Sequence, residues 1–518
     1  MSRDGRSPGL TRRVGIVAFG RAASVLSVLA VNFILTRTWP QEEFNLFTIV
    51  WVFGNTLVPV FLIGLPTSLL YFFPLAGSMG RRRVVLQAAS CLAASGALLA
   101  LLLFSAGHLT SMVVPLELLG VGTGSPQAWA PLLYPFVPYF FSLVAGGFAE
   151  STLVASGRPS QQAMLALVGA LGLVAVATGG WLLACTMSQV AFGLSSIGLI
   201  RLAVAYTMVA RVLGDRRASL DDTSGPADTS LRALISYSIP IAMNDTVGAL
   251  SRVVDRVVIF FFFPALVGTY HVGAIEVPIS LLLAAIVTVL IPEISRLSAA
   301  GRVNQIGTLW KQAVGRLSLI TIPLFFLLFT HAGPIIAVYL PSEYAQAEWV
   351  FRIFLLMLPL RCAIYNPLLV GMGKASWALW GGVGDLVTNI TLSIALVYVL
   401  MSHWGSEWAL VGPAVATVVS TYLQVGVLIL LIGRHLRWSL LDLMPWLLLF
   451  RTAVFSSGAA AVSLALSHSL EQPALQLFVG FTSFTVVIAA ASWMHAGQRQ
   501  ELQRLLSAFR SPSSGRDQ

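Results

Sequence analysis

Apolar runs of roughly twenty residues follow one another almost back to back along this chain, and a helix of that length is what crosses the hydrocarbon core of a bilayer. Fourteen such runs are present. The first six are Val14–Thr36, Phe47–Phe72, Val84–Ala106, Gln127–Phe148, Gln161–Ala184 and Gln189–Leu213. The other eight are Ile235–Phe263, Gly268–Ile291, Leu317–Leu340, Val350–Val370, Trp377–Met401, Ala409–Ile432, Trp446–Ser467 and Leu475–His495. They are numbered segments 1 to 14 in chain order. With 57% of its residues hydrophobic and only 10% charged, the chain lacks the charge that a soluble protein of 518 residues needs on its surface. The expected fold is all-α, a polytopic membrane protein with 14 transmembrane helices.

The formal net charge of +10 would suit nucleic acid if the basic residues shared a surface. They sit instead in short connections between segments, which is how membrane topology is encoded. With the N-terminus inside, the inside connections hold Arg12, Arg13, Arg81, Arg82, Arg83, Arg158, Arg216, Arg217, Arg232, Arg296, Arg302, Lys311, Arg316, Lys374, Arg434, Arg437 and the basic tail. The outside connections hold one basic residue, Arg37, beside Glu42, Glu43, Glu117, Glu343, Glu348, Glu407 and Glu471. This asymmetry and the even count of segments place both termini in the cytoplasm. No nucleic-acid partner is expected.

Gly214–Ser230, rich in Asp, Ser and Gly, is the long polar inside connection of the middle of the chain and reads as a flexible linker. It divides the chain into an N-terminal lobe at 1–213 (segments 1 to 6), a cytoplasmic linker at 214–231 and a C-terminal lobe at 232–445 (segments 7 to 12). Segments 13 and 14 at 446–495 and a cytoplasmic tail at 496–518 follow. The two lobes repeat one another in spacing. Asn32, Pro40, Phe47, Pro66 and the Gly80-Arg81 pair have counterparts in Arg256, Pro264, Tyr270, Pro292 and the Gly301-Arg302 pair. Six segments per repeat leave the second copy in the orientation of the first, so the pseudo-symmetric lobes relate by an axis along the membrane normal with a cavity between them.

Other features point to ordinary membrane packing. Cys91, Cys185 and Cys362 form neither a disulfide framework nor a metal motif. His271, His331, His403 and His468 lie near the outer edge without ligand-like spacing, and no metal is expected. Trp377, Trp380, Trp404, Trp408 and Trp446 lie near segment ends, where interfacial tryptophans belong. The absence of a Walker-type loop argues against direct ATP hydrolysis.

Residues spread over almost the whole chain resemble one family. In Tyr237–Ala274 a proline-containing helix ends in an Asp-Arg pair and is followed by a Gly-x-Tyr turn, here Pro240, Asp255, Arg256, Gly268 and Tyr270. Further pieces are Phe33–Phe47, Ile63–Pro74, Leu290–Leu297, Tyr339–Ile353 and Asn366–Ser376. The set resembles the Wzx-like polysaccharide and oligosaccharide flippases of the multidrug/oligosaccharidyl-lipid/polysaccharide (MOP) exporter superfamily. Asn45 stands where the first repeat of that family usually has glycine. The resemblance implies alternating access in the bacterial cytoplasmic (inner) membrane, with a polyprenyl-pyrophosphate-linked oligosaccharide as substrate and a role in surface or exopolysaccharide biosynthesis, including lipopolysaccharide. Membrane lipids, a polysaccharide polymerase and chain-length or export machinery are the partners that follow.

Charges within lipid are expensive and normally face a cavity or a partner. Those inside segments are Arg21, Arg201, Asp245, Arg252, Asp255, Arg256, Glu276, Arg352, Arg361, Asp385 and Arg451, of which Arg352 and Arg451 lie near segment ends and can snorkel. At about 100° per residue Asp245, Arg252 and Arg256 share one stripe of segment 7, while Asp255 points away. A pyrophosphate headgroup cannot cross hydrocarbon unaided, and guanidinium groups replace its hydration with charge-assisted hydrogen bonds. Arg21, Arg252, Arg256 and Arg361 are the candidate substrate-binding residues. Asp245, Asp255, Glu276 and Asp385 are candidates for gating or ion coupling, with Arg21 and Asp245 at matching repeat positions as a possible gate pair. No cofactor is expected; a proton gradient, a sodium gradient or the membrane potential are the open sources of drive. The alternatives are a peptidoglycan lipid-precursor flippase, a drug/cation antiporter of the same superfamily, and an enzyme such as a membrane polysaccharide polymerase. The last is disfavoured because the longest outside connection, Gly107–Pro126, carries one charge, Glu117.

Overall fold

A computed structural model describes residues 10–112, 130–214, 229–275, 277, 290–291 and 293–494. Every regular element among them is a helix. Hydrocarbon imposes this, because without water a spanning segment must close its backbone hydrogen bonds within itself. Ten helices among the described residues are long and apolar enough to cross a membrane, and the bent pair Ala347–Leu360 and Tyr365–Gly371 makes eleven. These are segments 2 to 6 and 9 to 14. Segment 1 adds the shorter apolar helix Ala22–Thr38. Segment 7 is split into Leu231–Ser251 and Val254–Phe262. Segment 8 begins with Val267–Gly273 and continues largely outside the described residues, as does the linker at 214–231.

Several helices outrun their apolar cores. Segment 4 continues through Gly147–Ala155, which carries Glu150 into the helical body. Segment 9 begins at Val303, so Lys311 and Arg316 lie on a helix and not in a loop. Apolar side chains point outward, among them Trp380 at 71% and Phe478 at 70% exposure, and lipid is the solvent that this surface requires.

Packing divides the chain into two compact units, Met1–Gly268 and Thr269–Gln518. The repeat pattern places its division at the linker, whereas by contacts segment 7 joins the first unit. The reason is that segment 7 lies along segment 2. Segment 2 breaks between Gln41–Phe61 and Leu65–Leu75, and Ile63 and Gly64 both take left-handed backbone there. A side chain at Gly64 would come within 2.5 Å of the Ser238 carbonyl, so glycine is what lets segment 7 approach. Nearby, the buried Ser68 and Ser238 hydroxyls bond at 2.7 Å and the Tyr71 and Tyr237 rings stack at 4.7 Å. Midway, Phe53 meets Phe260 edge-on. At the far end the buried Asn45 carboxamide donates to the Pro264 carbonyl at 2.6 Å and accepts from the Gly268 N–H at 2.7 Å.

In the second unit Trp310 sits fully buried in a core that draws on segments 9, 10 and 12, with Leu290, Ile294 and Leu297 from the end of segment 8 onward and Leu443 and Met444 before segment 13. Segments 13 and 14 attach through His331, whose ring occupies the space that a side chain at Gly480 would need. Its Nδ1 meets the Leu327 carbonyl and its Nε2 faces the Ser463 and Ser467 hydroxyls.

Removing the Asn45 carboxamide leaves the Pro264 carbonyl and the Gly268 N–H without that partner. Leaving one buried polar group unsatisfied costs about 1–3 kcal/mol. Asn45→Ala is therefore expected to melt several degrees below the wild type in detergent. An unchanged melting temperature would show that the clasp between segments 2 and 7 contributes nothing.

Candidate functional site

The interruption of segment 10 borders a cavity. Helices Ala347–Leu355 and Met357–Leu360 run up to Arg361, and Tyr365–Gly371 resumes at a 41° bend. Pro359 and Pro367 flank the break, and each removes a backbone donor. Side chains of neighbouring helices donate to carbonyls at the break: Trp310 Nε1 to Ile364 at 3.1 Å and the Tyr422 hydroxyl to Leu356 at 2.7 Å. Non-helical backbone at membrane depth is tolerated only where protein or a cavity satisfies it, and here both do.

The cavity at the break has a volume of about 320 Å3. Its polar lining is Arg361, Tyr365, Asn366 and Thr421, set among Met357, Leu360, Val370 and Val425. Arg361 is exposed to this space, and Asp385 on the helix Ala375–Trp404 lies within electrostatic range of Tyr365. The arrangement presents a guanidinium, a phenol and an amide to whatever enters, which suits an anion with several acceptor oxygens.

Segment 7 holds the second group of charges, within the first unit. Its helix stops at Arg252 and restarts at Val254, so the single stripe expected from an unbroken helix does not form. The break resets the helical phase, and Asp255 is brought to Arg256 instead of pointing away from it. Asp255 is buried at 1% exposure, and Arg256 Nη1 meets its carboxylate at 3.2 Å. The same nitrogen donates to the Arg252 carbonyl at 2.8 Å, a group that the break releases from the helical ladder. Arg252 itself is exposed, with half-buried Asp245 in electrostatic range.

Other candidates lie beyond the description. Glu276 and the Arg21 side chain are outside the described residues, so the Arg21–Asp245 pairing stays an expectation. Arg352 holds Glu348 at 2.8 Å and lies against the Phe329 and Trp349 rings. Arg451 is exposed.

One constellation escaped the sequence. Arg201 of segment 6 pairs with Glu150, and Gln162 of segment 5 reaches the same carboxylate at 3.4 Å. Arg201 also lines a cavity of about 140 Å3 with Ser24, Ser27 and Tyr139. Glu150 lay two residues past the apolar end of segment 4, and only the extended helix brings it to Arg201.

Apolar spans, several of them broken beside small cavities, define a multi-pass helical membrane protein. Comparison with solved structures gives that architecture a name. The chain is similar to the "Lipid II flippase MurJ, inward closed conformation", with a TM-score of 0.66 at 14% identity over 92% of this chain and 97% of that one. It is also similar to an inward-facing multidrug resistance MATE family transporter of the MOP superfamily, at 0.60 and 13% over 80% of this chain and 95% of that one. A MOP superfamily transporter from Pyrococcus furiosus aligns at 0.57 and 14% over 83% of this chain and 96% of that one. The chain therefore has the MOP-superfamily fold. Over residues 164–348 it matches the model of a family described as "Polysaccharide biosynthesis protein". No curated protein matches the sequence.

Two substitutions separate structural from available charge in segment 7. Arg256→Gln removes the guanidinium from a buried carboxylate and is expected to destabilise by about 3–5 kcal/mol, the range for breaking a buried pair. Arg252→Gln, at an exposed side chain, is expected to stay within about 0.5 kcal/mol. Thermal melts in detergent decide this, and equal melting of the two variants would remove the distinction. At segment 10, Trp310→Phe keeps an aromatic ring but removes the Nε1 bond to the Ile364 carbonyl, for an expected loss of about 0.5–1.5 kcal/mol.

Proposed function

We propose that this chain is a flippase that moves a polyprenyl-pyrophosphate-linked oligosaccharide from the inner to the outer leaflet of a bacterial cytoplasmic membrane. The observation that carries the reading is the arginine-bearing cavity at the break of segment 10. Ligand pockets run from about 300 to 1,000 Å3, so a cavity of about 320 Å3 suits a charged headgroup while the lipid tail stays in the bilayer. The family match to polysaccharide biosynthesis proteins and the likeness to a lipid II flippase support the same substrate class.

In this reading the bundle crosses the membrane fourteen times with both termini inside, and the repeats rock against each other in alternating access. Arg361 takes the pyrophosphate, with Arg252 and Arg21 as further cationic stations. Arg256, bound to Asp255, holds the break of segment 7 in shape. An inside-negative potential favours outward movement of an anion by about 2.3 kcal/mol per charge per 100 mV. Asp245, Glu276 and Asp385 are the groups to examine for proton or sodium coupling. A polysaccharide polymerase and chain-length or export machinery would receive the product. No catalytic role is assigned.

The likeness to a lipid II flippase favours a second reading, a peptidoglycan-precursor flippase. A drug/cation antiporter of the same fold is a third. Lipid extracts of cells depleted of the protein separate them. Accumulation of a lipid-linked oligosaccharide on the cytoplasmic leaflet, with loss of surface polysaccharide, is the expected result, and its mass reveals the sugar. A muropeptide-bearing lipid would favour the second reading, and altered sensitivity to cationic drugs without lipid accumulation the third. In the same cells Arg361→Gln is expected to reduce surface polysaccharide at least about tenfold at equal protein level, as loss of one charge-assisted contact predicts. Full activity of that variant would exclude the cavity as the headgroup site.

A further inference from the structure

A second cavity, of about 330 Å3, lies at the start of segment 9 against the start of segment 13. Its upper wall is a stripe of the helix Val303–Thr330, with Lys311, Gln312 and Arg316 at one end and Leu319 at the other. Pro445 and Leu448 close the opposite side. Gly315 makes the cleft narrow: a side chain there would come within 3.0 Å of Leu448. From Lys311 to Leu319 the wall changes from cationic to apolar over about 12 Å of helix, at 1.5 Å per residue.

We infer that this cleft binds an anionic phospholipid of the cytoplasmic leaflet, its phosphate held by Lys311 and Arg316 and an acyl chain laid along Leu319 and Leu448. The lining suits an anion, and its apolar floor and position favour a lipid over a free one. Among the described residues no carboxylate lines the cleft; the nearby Asp442 presents its carbonyl to Lys311 at 2.7 Å while its carboxylate takes the Ser439 hydroxyl. An ammonium has three donors, so that bond leaves Lys311 two for a phosphate. The apolar floor gives a free phosphate nothing but fits a hydrocarbon chain. The charge pattern of the connections puts this end of the segments inside, where anionic lipid is concentrated and basic pockets between helices recognise its headgroups. Bound there, the lipid would join segment 13 to segment 9, and so secure the helix pair that lies outside the two six-segment repeats.

The full-length protein, purified in a neutral detergent, is titrated with phosphatidylglycerol, with phosphatidylcholine and with inorganic phosphate, and its melting temperature is followed. Phosphatidylglycerol is expected to raise it saturably, and the other two to leave it unchanged. Lys311→Gln with Arg316→Gln should weaken the apparent phosphatidylglycerol affinity about thirtyfold, as two cations near an anionic lipid surface predict. Arg82→Gln with Arg83→Gln, which removes the same charge from another connection, should leave it unchanged. Leu448→Trp, which fills the floor and spares the charges, should also weaken it and serves if the double variant does not fold. The inference fails if phosphate alone reproduces the shift, if phosphatidylcholine matches phosphatidylglycerol, or if the pocket variants titrate like the wild type.

Discussion

Backbone groups inside a bilayer have no water to turn to, and this requirement decides where the chain can depart from straight helix. Among the described residues, segments 2, 7 and 10 are some of those that depart from it, and neighbouring groups bond to the backbone at the breaks. At segment 10 the carbonyls of Leu356 and Ile364 are taken by Tyr422 and Trp310. At segment 7 the Arg252 carbonyl is taken by Arg256. At segment 2 the chain turns through left-handed residues at Ile63 and Gly64, and the missing side chain of Gly64 admits segment 7. The breaks are thus the places where neighbouring helices have to be close, and at segment 10 such a place borders a cavity.

The charges within the segments follow the same economy. A lone charge at the bilayer centre costs about 2.5–3.5 kcal/mol on insertion scales. Arg256 with Asp255, Arg201 with Glu150 and Arg352 with Glu348 are paired, and these pairs act as ties between or within helices. Arg361 and Arg252 lie at breaks with exposed side chains. Two arginines four residues apart on segment 7 therefore differ in setting: Arg256 meets the buried Asp255, and Arg252 is exposed.

Much of the helical layout was legible because its cause is local. Twenty apolar residues make a span wherever they occur, and Trp446–Ser467 has the same ends in sequence and in structure. The charge-poor limits of the segments misplaced some helix ends, since helices such as Val303–Thr330 run on past the hydrocarbon into polar turns. Arg361 was found because a charge in an apolar run is conspicuous, and it does line a cavity. Glu150 was missed because it sits just beyond such a run. Asn45 was noticed only as a departure from the glycine common in the family, and its use, clasping Pro264 and Gly268, needs both segments in place.

Hydropathy and the placement of arginine and lysine determined from sequence alone that this chain lives in a membrane as a helical bundle, because the cost of burying a polar group in lipid is paid residue by residue. The tertiary structure decided which helices break, which carboxylate each arginine meets, and that segment 7 packs along segment 2. The last of these depends on partners more than a hundred residues apart, such as Asn45 and Pro264, and the Arg201–Glu150 pair depends on two different segments. A period of 3.6 residues read along one segment cannot reveal them, since a single break resets the phase and turns every later side chain to a new neighbour.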